Sequence, residues 1–152
     1  MIFVDIDEEF SAFVDPQMLV EAAEAVLAHE EMSEQVELSI AVSNDDTIRA
    51  LNAQYRDTDA PTDVLSFPSD EFDPDEQVQY LGDIMISFPR ALAQAEAAQH
   101  PVMNEIRLLV VHGVLHILGY DHLEPEEKAE MWAIQADILA AIGCSINQLP
   151  EN

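Results

Sequence analysis

Apolar and acidic residues alternate over Ile2–Ile6 after Phe3, a period of two that predicts a short strand. Asp15-Pro16 then opens a helix, with the aspartate as cap and the proline at the first helical position. Leu19, Ala22, Ala23, Val26 and Leu27 form its apolar stripe. Residues 36–42 are β-rich and predict a second strand. Asn44-Asp45-Asp46 marks the next helix start, with Ile48, Leu51 and Tyr55 as its buried face. Residues 59–63 read as a loop, 64–67 as a strand stopped by Pro68, and the acidic stretch 69–79, carrying Pro74, as an exposed loop. Residues 81–87 predict a fourth strand. Pro89 starts a helix that runs to about residue 99, and Pro101 starts another. That second helix is apolar nearly all round, through Ile106, Leu108, Leu109, Val110, Val111, Val114, Leu115, Ile117 and Leu118, which predicts a buried central helix. Glu124-Pro125 opens the last helix, with Met131, Ile134, Ile138 and Ile142 on one face and Gly143 at its end. The order of elements predicts an α+β fold, a small mixed four-stranded sheet covered by helices, in one domain over 1–152.

Charge changes this picture. Thirty-one acids face five bases, a formal net charge of −26, and Lys128 is the single lysine. The acids are scattered through helices and loops, so the surface repels itself at low salt. Either the chain is adapted to a salt-rich cytosol or it is a merely acidic mesophile protein. A melting temperature that rises from low salt to molar KCl selects the first. On charge alone nucleic acid is a disfavoured partner, because neutralising phosphates takes lysine or arginine. The lone Cys144 excludes an internal disulfide framework and fits a reducing cytosol. The first residues lack a basic region and meet Asp5 at once, unlike a secretory signal. The longest mostly apolar run, 108–120, is too short for a membrane span and contains two histidines. The expected location is the cytoplasm.

The chemistry concentrates in residues 112–122, H-G-V-L-H-I-L-G-Y-D-H, which hold three of the five histidines. His112 and His116 are four apart, so on a helix both rings lie on one face and reach a single ion. Gly119 can take the left-handed conformation that ends a helix, letting the chain reverse and bring His122 back to the same point. Three converging neutral imidazoles predict one divalent metal ion, most often zinc, with a fourth position left open as in catalytic sites. Cys144 is far along the chain and unsuited to complete a closed structural site. His29 and His100, at expected helix ends, read as surface or capping residues.

Three-histidine zinc sites activate water near neutral pH and polarise carbonyl or phosphoryl oxygens, so hydrolysis is the default chemistry. The spacing matches the extended zinc-protease pattern H-E-x-x-H-x-x-G-x-x-H, a zincin-like site on the buried central helix. The glutamate that acts there as general base is Gly113 here, which disfavours peptide hydrolysis by that mechanism. Gly113 either admits a substrate closely or packs tightly against a neighbouring element.

The same eleven residues resemble the signature of the YbeY family, bacterial metal-dependent endoribonucleases implicated in ribosomal RNA maturation. Leu51-Asn52 through Tyr55-Arg56, with Asp59 and P-T-D-V-L-S-F-P over 61–68, resembles the family's central segment. Leu81-Gly82-Asp83-Ile84 resembles its next strand. The blocks run in the family's order over residues 51–122. The resemblance implies a small sheet with surrounding helices and a zinc-like ion held by His112, His116 and His122. It implies a single-strand endoribonuclease of ribosomal RNA maturation and ribosome quality control, with ribosomal RNA and ribosome-associated proteins as partners. It also points to Arg56 as a substrate-side residue that acts with the metal ligand His116; an arginine grips a phosphate with two hydrogen bonds. The bland alternative for Arg56 is a surface pair or a cap partner for Asp59. Ser66 either lines the cleft or makes a local hydrogen bond. Asp121 either orients a histidine from behind or caps the turn after Gly119. Tyr120 reads as core, and Arg49, Arg90 and Arg107 as structural or surface charges. Two rival functions stand beside the nuclease: a non-catalytic, metal-stabilised ribosome-assembly factor, and a metallohydrolase of peptides or small esters.

Overall fold

A computed structural model describes residues 1–32, 35–60 and 62–146; Pro61, in the expected loop, lies outside them. The chain runs β1 (Ile2–Ile6), α1 (Pro16–His29), β2 (Val36–Ser43), α2 (Asp45–Arg56), β3 (Val64–Pro68), β4 (Phe72–Asp73), β5 (Val78–Ser87), α3 (Phe88–Ala98), α4 (Val102–Ile117) and α5 (Pro125–Ala141), with a 3₁₀ turn at Glu8–Phe10. The α+β expectation holds. The sheet is mixed, in order β1-β2-β5-β3: β1–β2 and β2–β5 are parallel, β3–β5 is antiparallel.

The four expected strands are joined by a fifth, because β4 pairs antiparallel with the first residues of β5. The stretch 69–79, expected as a loop, is therefore partly a hairpin, turned by Gln77 at φ +57. Its acids hid the alternation of Phe72, Val78 and Tyr80. Tyr80 fixes the strand from the side, its hydroxyl within 2.7 Å of Ser39 Oγ and 2.6 Å of Asp83 Oδ1.

Local chemistry starts the helices where expected. Asp15 accepts from Gln17 N at 3.0 Å with Pro16 behind it, and Asn44 accepts from Thr47 N at 2.8 Å. Leu38, Ile40, Val42, Ile84 and Ile86 bury one face of the sheet. Helix α4 lies against β3 and β5, and α1, α3 and α5 pack around it. Its residues 105–115 are all buried, as the all-round apolar pattern predicts. The core thereby makes α4 a rigid post beneath whatever its last turn carries.

Two expectations about burial change. Tyr55 is 62 % exposed and stands edge-on to Phe67. The buried partner of Ile48 on α2 is instead Asn52, whose Nδ2 donates to Ala60 O at 2.9 Å. His100 is not a surface residue: its side chain is 4 % exposed and bonds Glu105 at 2.7 Å. His29 does sit at the surface, 2.8 Å from Glu30.

Candidate metal centre

Helix α4 ends at Ile117 with Leu118 as its cap, and Gly119 follows at φ +107, where a side chain would be strained. The chain turns back over the last helical turn, Tyr120 N donating to Leu115 O at 3.0 Å. That reversal brings His122 to the face carrying His112 and His116. One donor atom from each ring lies within 4.8 Å of the others. His112 Nε2 and His116 Nε2 are 3.1 Å apart; two zinc ligands at the corners of a tetrahedron are separated by ~3.3 Å.

The rings are held from behind. His112 is fully buried, and its Nδ1 bonds Oε1 of Gln135 on α5 at 2.6 Å. Trp132, one turn earlier on α5, places its ring edge-on to His112 and His122, at 5.6 and 5.4 Å between centroids. Burial pushes the His116 pKa down, and the charge of His122 adds to this; the Asp121 carboxylate and a hydrogen bond to the Tyr120 backbone oppose it. A depressed pKa leaves His116 neutral at physiological pH, the form that binds metal. Convergent ring nitrogens and the absence of a fourth protein donor among the described residues fit a divalent ion with an open side.

That open side is a cleft of about 610 Å³ lined by the three histidines together with Arg56, Ser66 and Asp121. Arg56 stands at the end of α2, and its Nη2 donates to Ser66 O at 2.6 Å while its guanidinium lies 5.7 Å from the Phe67 ring. It is therefore pinned to β3 rather than paired with Asp59, which is taken by Arg49 at 2.8 Å. Ser66 both lines the cleft and spends its hydroxyl on Gly113 O, at 3.3 Å. Asp121 accepts from His122 N at 2.7 Å, so it caps the turn, while its charge reaches His116.

Gly113 is explained by packing. A Cβ there meets the Ile84 side chain at 3.1–3.3 Å, so glycine lets α4 settle onto β5. The position faces the sheet, not the cleft. Tyr120 is half-buried with its hydroxyl donating to Glu30 at 2.6 Å, a bond that pushes its pKa up to about 12. Cys144 is buried beside Asn104 and is not among the converging donors.

Gln135 escaped the sequence reading. The available signal was a polar residue at helical spacing with Met131 and Ile138, inside an otherwise apolar stripe.

Comparison with known proteins agrees with this geometry. The family model described as Endoribonuclease YbeY matches residues 5–143. A protein named Endoribonuclease YbeY from Chloroflexus aurantiacus is 46% identical over 149 residues, covering 93% of this chain and 95% of the relative. Another so named, from Streptomyces griseus, is 43% identical and covers 90% and 87%. A solution structure from Thermotoga maritima aligns with a TM-score of 0.60 at 26% identity, covering 94% of this chain and 92% of that one. The match extends well beyond residues 51–122, into the amino-terminal strand and the last helix, and the chain belongs to the YbeY endoribonuclease family.

Proposed function

We propose that this chain is a metal-dependent endoribonuclease that cleaves single-stranded ribosomal RNA in the cytoplasm, during ribosome maturation and quality control. The observation that carries the reading is the convergence of three ring nitrogens on a cleft whose lining also holds a pinned arginine. His112, His116 and His122 hold the ion, zinc by preference. Bound there, a divalent ion supplies Lewis-acid polarisation of a phosphoryl oxygen and activation of water.

The chain's own groups supply the rest. Arg56 meets a phosphate with its remaining N–H donors and stabilises charge that builds on the non-bridging oxygens. Its bond to Ser66 O fixes the guanidinium before substrate arrives, so little ordering is left to the transition state. Hydrolysis adds water across one P–O bond, leaving a phosphate on one fragment and a hydroxyl on the other. Peptide hydrolysis is disfavoured, because the zinc-protease general base is replaced by a glycine packed on Ile84.

Charge placement supports an RNA substrate despite the acidic whole. Arg49 pairs with Asp59, Arg90 lies 3.6 Å from Asp45, and Arg107 is buried with its Nη2 on Ile142 O. Among the described residues Arg56, Arg107 and Lys128 have no carboxylate within ion-pair distance; Arg107 is buried, and Arg56 lines the cleft. Lys128 sits 5.5 Å over the Trp132 ring that abuts His112 and His122. The cleft thus offers a polyanion a cation that no carboxylate neutralises.

The test uses purified full chain. Bound metal is quantified, then ribosomal RNA and casein are offered with and without EDTA, at low salt and in molar KCl. Chelator-sensitive RNA cleavage is expected, and no casein cleavage. RNA left intact by metal-loaded protein refutes the nuclease and leaves an assembly factor.

A further inference from the structure

Helix α5 buries Met131, Gln135, Ile138 and Leu139, and this stripe is apolar except at one place. Gln135 is fully buried between Met131 and Ile138. Its Nε2 has no hydrogen-bond partner among the described residues. A buried unpartnered amide N–H costs folding free energy that leucine or methionine here would not. What the amide does provide is the 2.6 Å bond from its Oε1 to His112 Nδ1.

That bond has a chemical consequence. An amide oxygen only accepts, so Nδ1 of His112 must carry the proton. The lone pair is then on Nε2, the atom 3.1 Å from His116 Nε2 and aimed into the cleft. The reverse tautomer would present an N–H to the ion. The Trp132 edge closes on the same ring, so His112 is fixed in rotation as well as in proton position. The partner is also uncharged. A carboxylate would place a negative charge behind the ligand; an amide leaves the centre its full positive charge to act on a phosphate.

We infer that Gln135 is a positioning residue of the metal centre: it commits His112 to the Nδ1–H tautomer and holds its Nε2 on the ion without lowering the charge of the site. This rests on the three-histidine reading proposed above.

The experiment measures metal, not turnover. Zn²⁺ affinity is determined by chelator competition for the parent chain, Gln135→Met and Gln135→Glu, with circular dichroism and melting curves to establish folding. Methionine keeps the volume and removes the acceptor; glutamate restores the acceptor. Gln135→Met is expected to bind zinc 10- to 100-fold more weakly, and Gln135→Glu to recover parental affinity or exceed it. In the zinc-loaded parent, ¹⁵N NMR is expected to show a slowly exchanging His112 Nδ1–H that the methionine variant lacks. If folded Gln135→Met binds zinc within twofold of the parent, or Gln135→Glu binds as weakly as Gln135→Met, the inference falls while the site stands. Should Gln135→Met fail to fold, parental NMR and the glutamate variant decide: a His112 protonated on Nε2 or a weak Gln135→Glu overturns it. A parent that takes up no zinc removes the site reading itself, and this one with it.

Discussion

One histidine side chain is buried just before α4 and another within it, and their surroundings treat them in opposite ways. Before the helix His100 meets the carboxylate of Glu105 at 2.7 Å, Gln94 donates to the other Glu105 oxygen at 3.1 Å, and buried Asp63 lies near enough to raise the Glu105 pKa further. Within the helix His112 meets a neutral amide, and its second nitrogen faces another imidazole. The first cluster satisfies itself with internal charge. The second concentrates lone pairs and keeps carboxylates out of direct contact with the rings, so its unsatisfied demand is for a cation. A buried histidine becomes a ligand or a strut according to what stands behind it and what its other nitrogen is left to face.

The largest break in this comparison is His116→Ala. It removes one of two nitrogens 3.1 Å apart and is expected to abolish metal retention and RNA cleavage together. Elemental analysis and a cleavage assay check it; full activity in the variant would sink the metal reading. Arg56→Ala comes next. It leaves the histidines untouched and removes the proposed phosphate grip, so cleavage is expected to fall about 10²- to 10³-fold with metal content unchanged. A loss of metal in that variant would mean Arg56 is structural.

His100→Ala tests the other histidine. It strips the buried Glu105 of one of its two side-chain partners, and a loss of about 1–3 kcal/mol of stability is expected in urea unfolding, with zinc binding retained. The smallest effect concerns pH. Burial raises the pKa values of both Asp63 and Glu105, against the bonds that lower them: Gln94, the Val64 backbone and Thr62 at Asp63, and His100 and Gln94 at Glu105. A carboxyl whose folded pKa is raised binds its proton more tightly when folded. It therefore stabilises the fold as pH falls through the folded value, and costs stability as pH rises from the ordinary carboxylate range through it. Asp63→Asn is expected to flatten the decline in unfolding free energy as pH rises above the ordinary carboxylate range, and an unchanged slope would show that Asp63 does not contribute to it.

What the chain's order of residues determined by itself was local. The caps at Asp15 and Asn44, the apolar run of α4, the i, i+4 histidine pair and the reversal at Gly119 follow from spacing and backbone chemistry within a turn or two. Tertiary structure alone decided which residues stand behind those histidines. Gln135 lies 23 positions from His112, Ser66 lies 47 from Gly113, and no periodicity links them. The pairing of β4 with β5, the burial of His100 and the seating of Gly113 on Ile84 were settled in the same way. Hydrogen bonds and packing between distant segments depend on how the elements close on one another, and the local pattern carries no record of that closure.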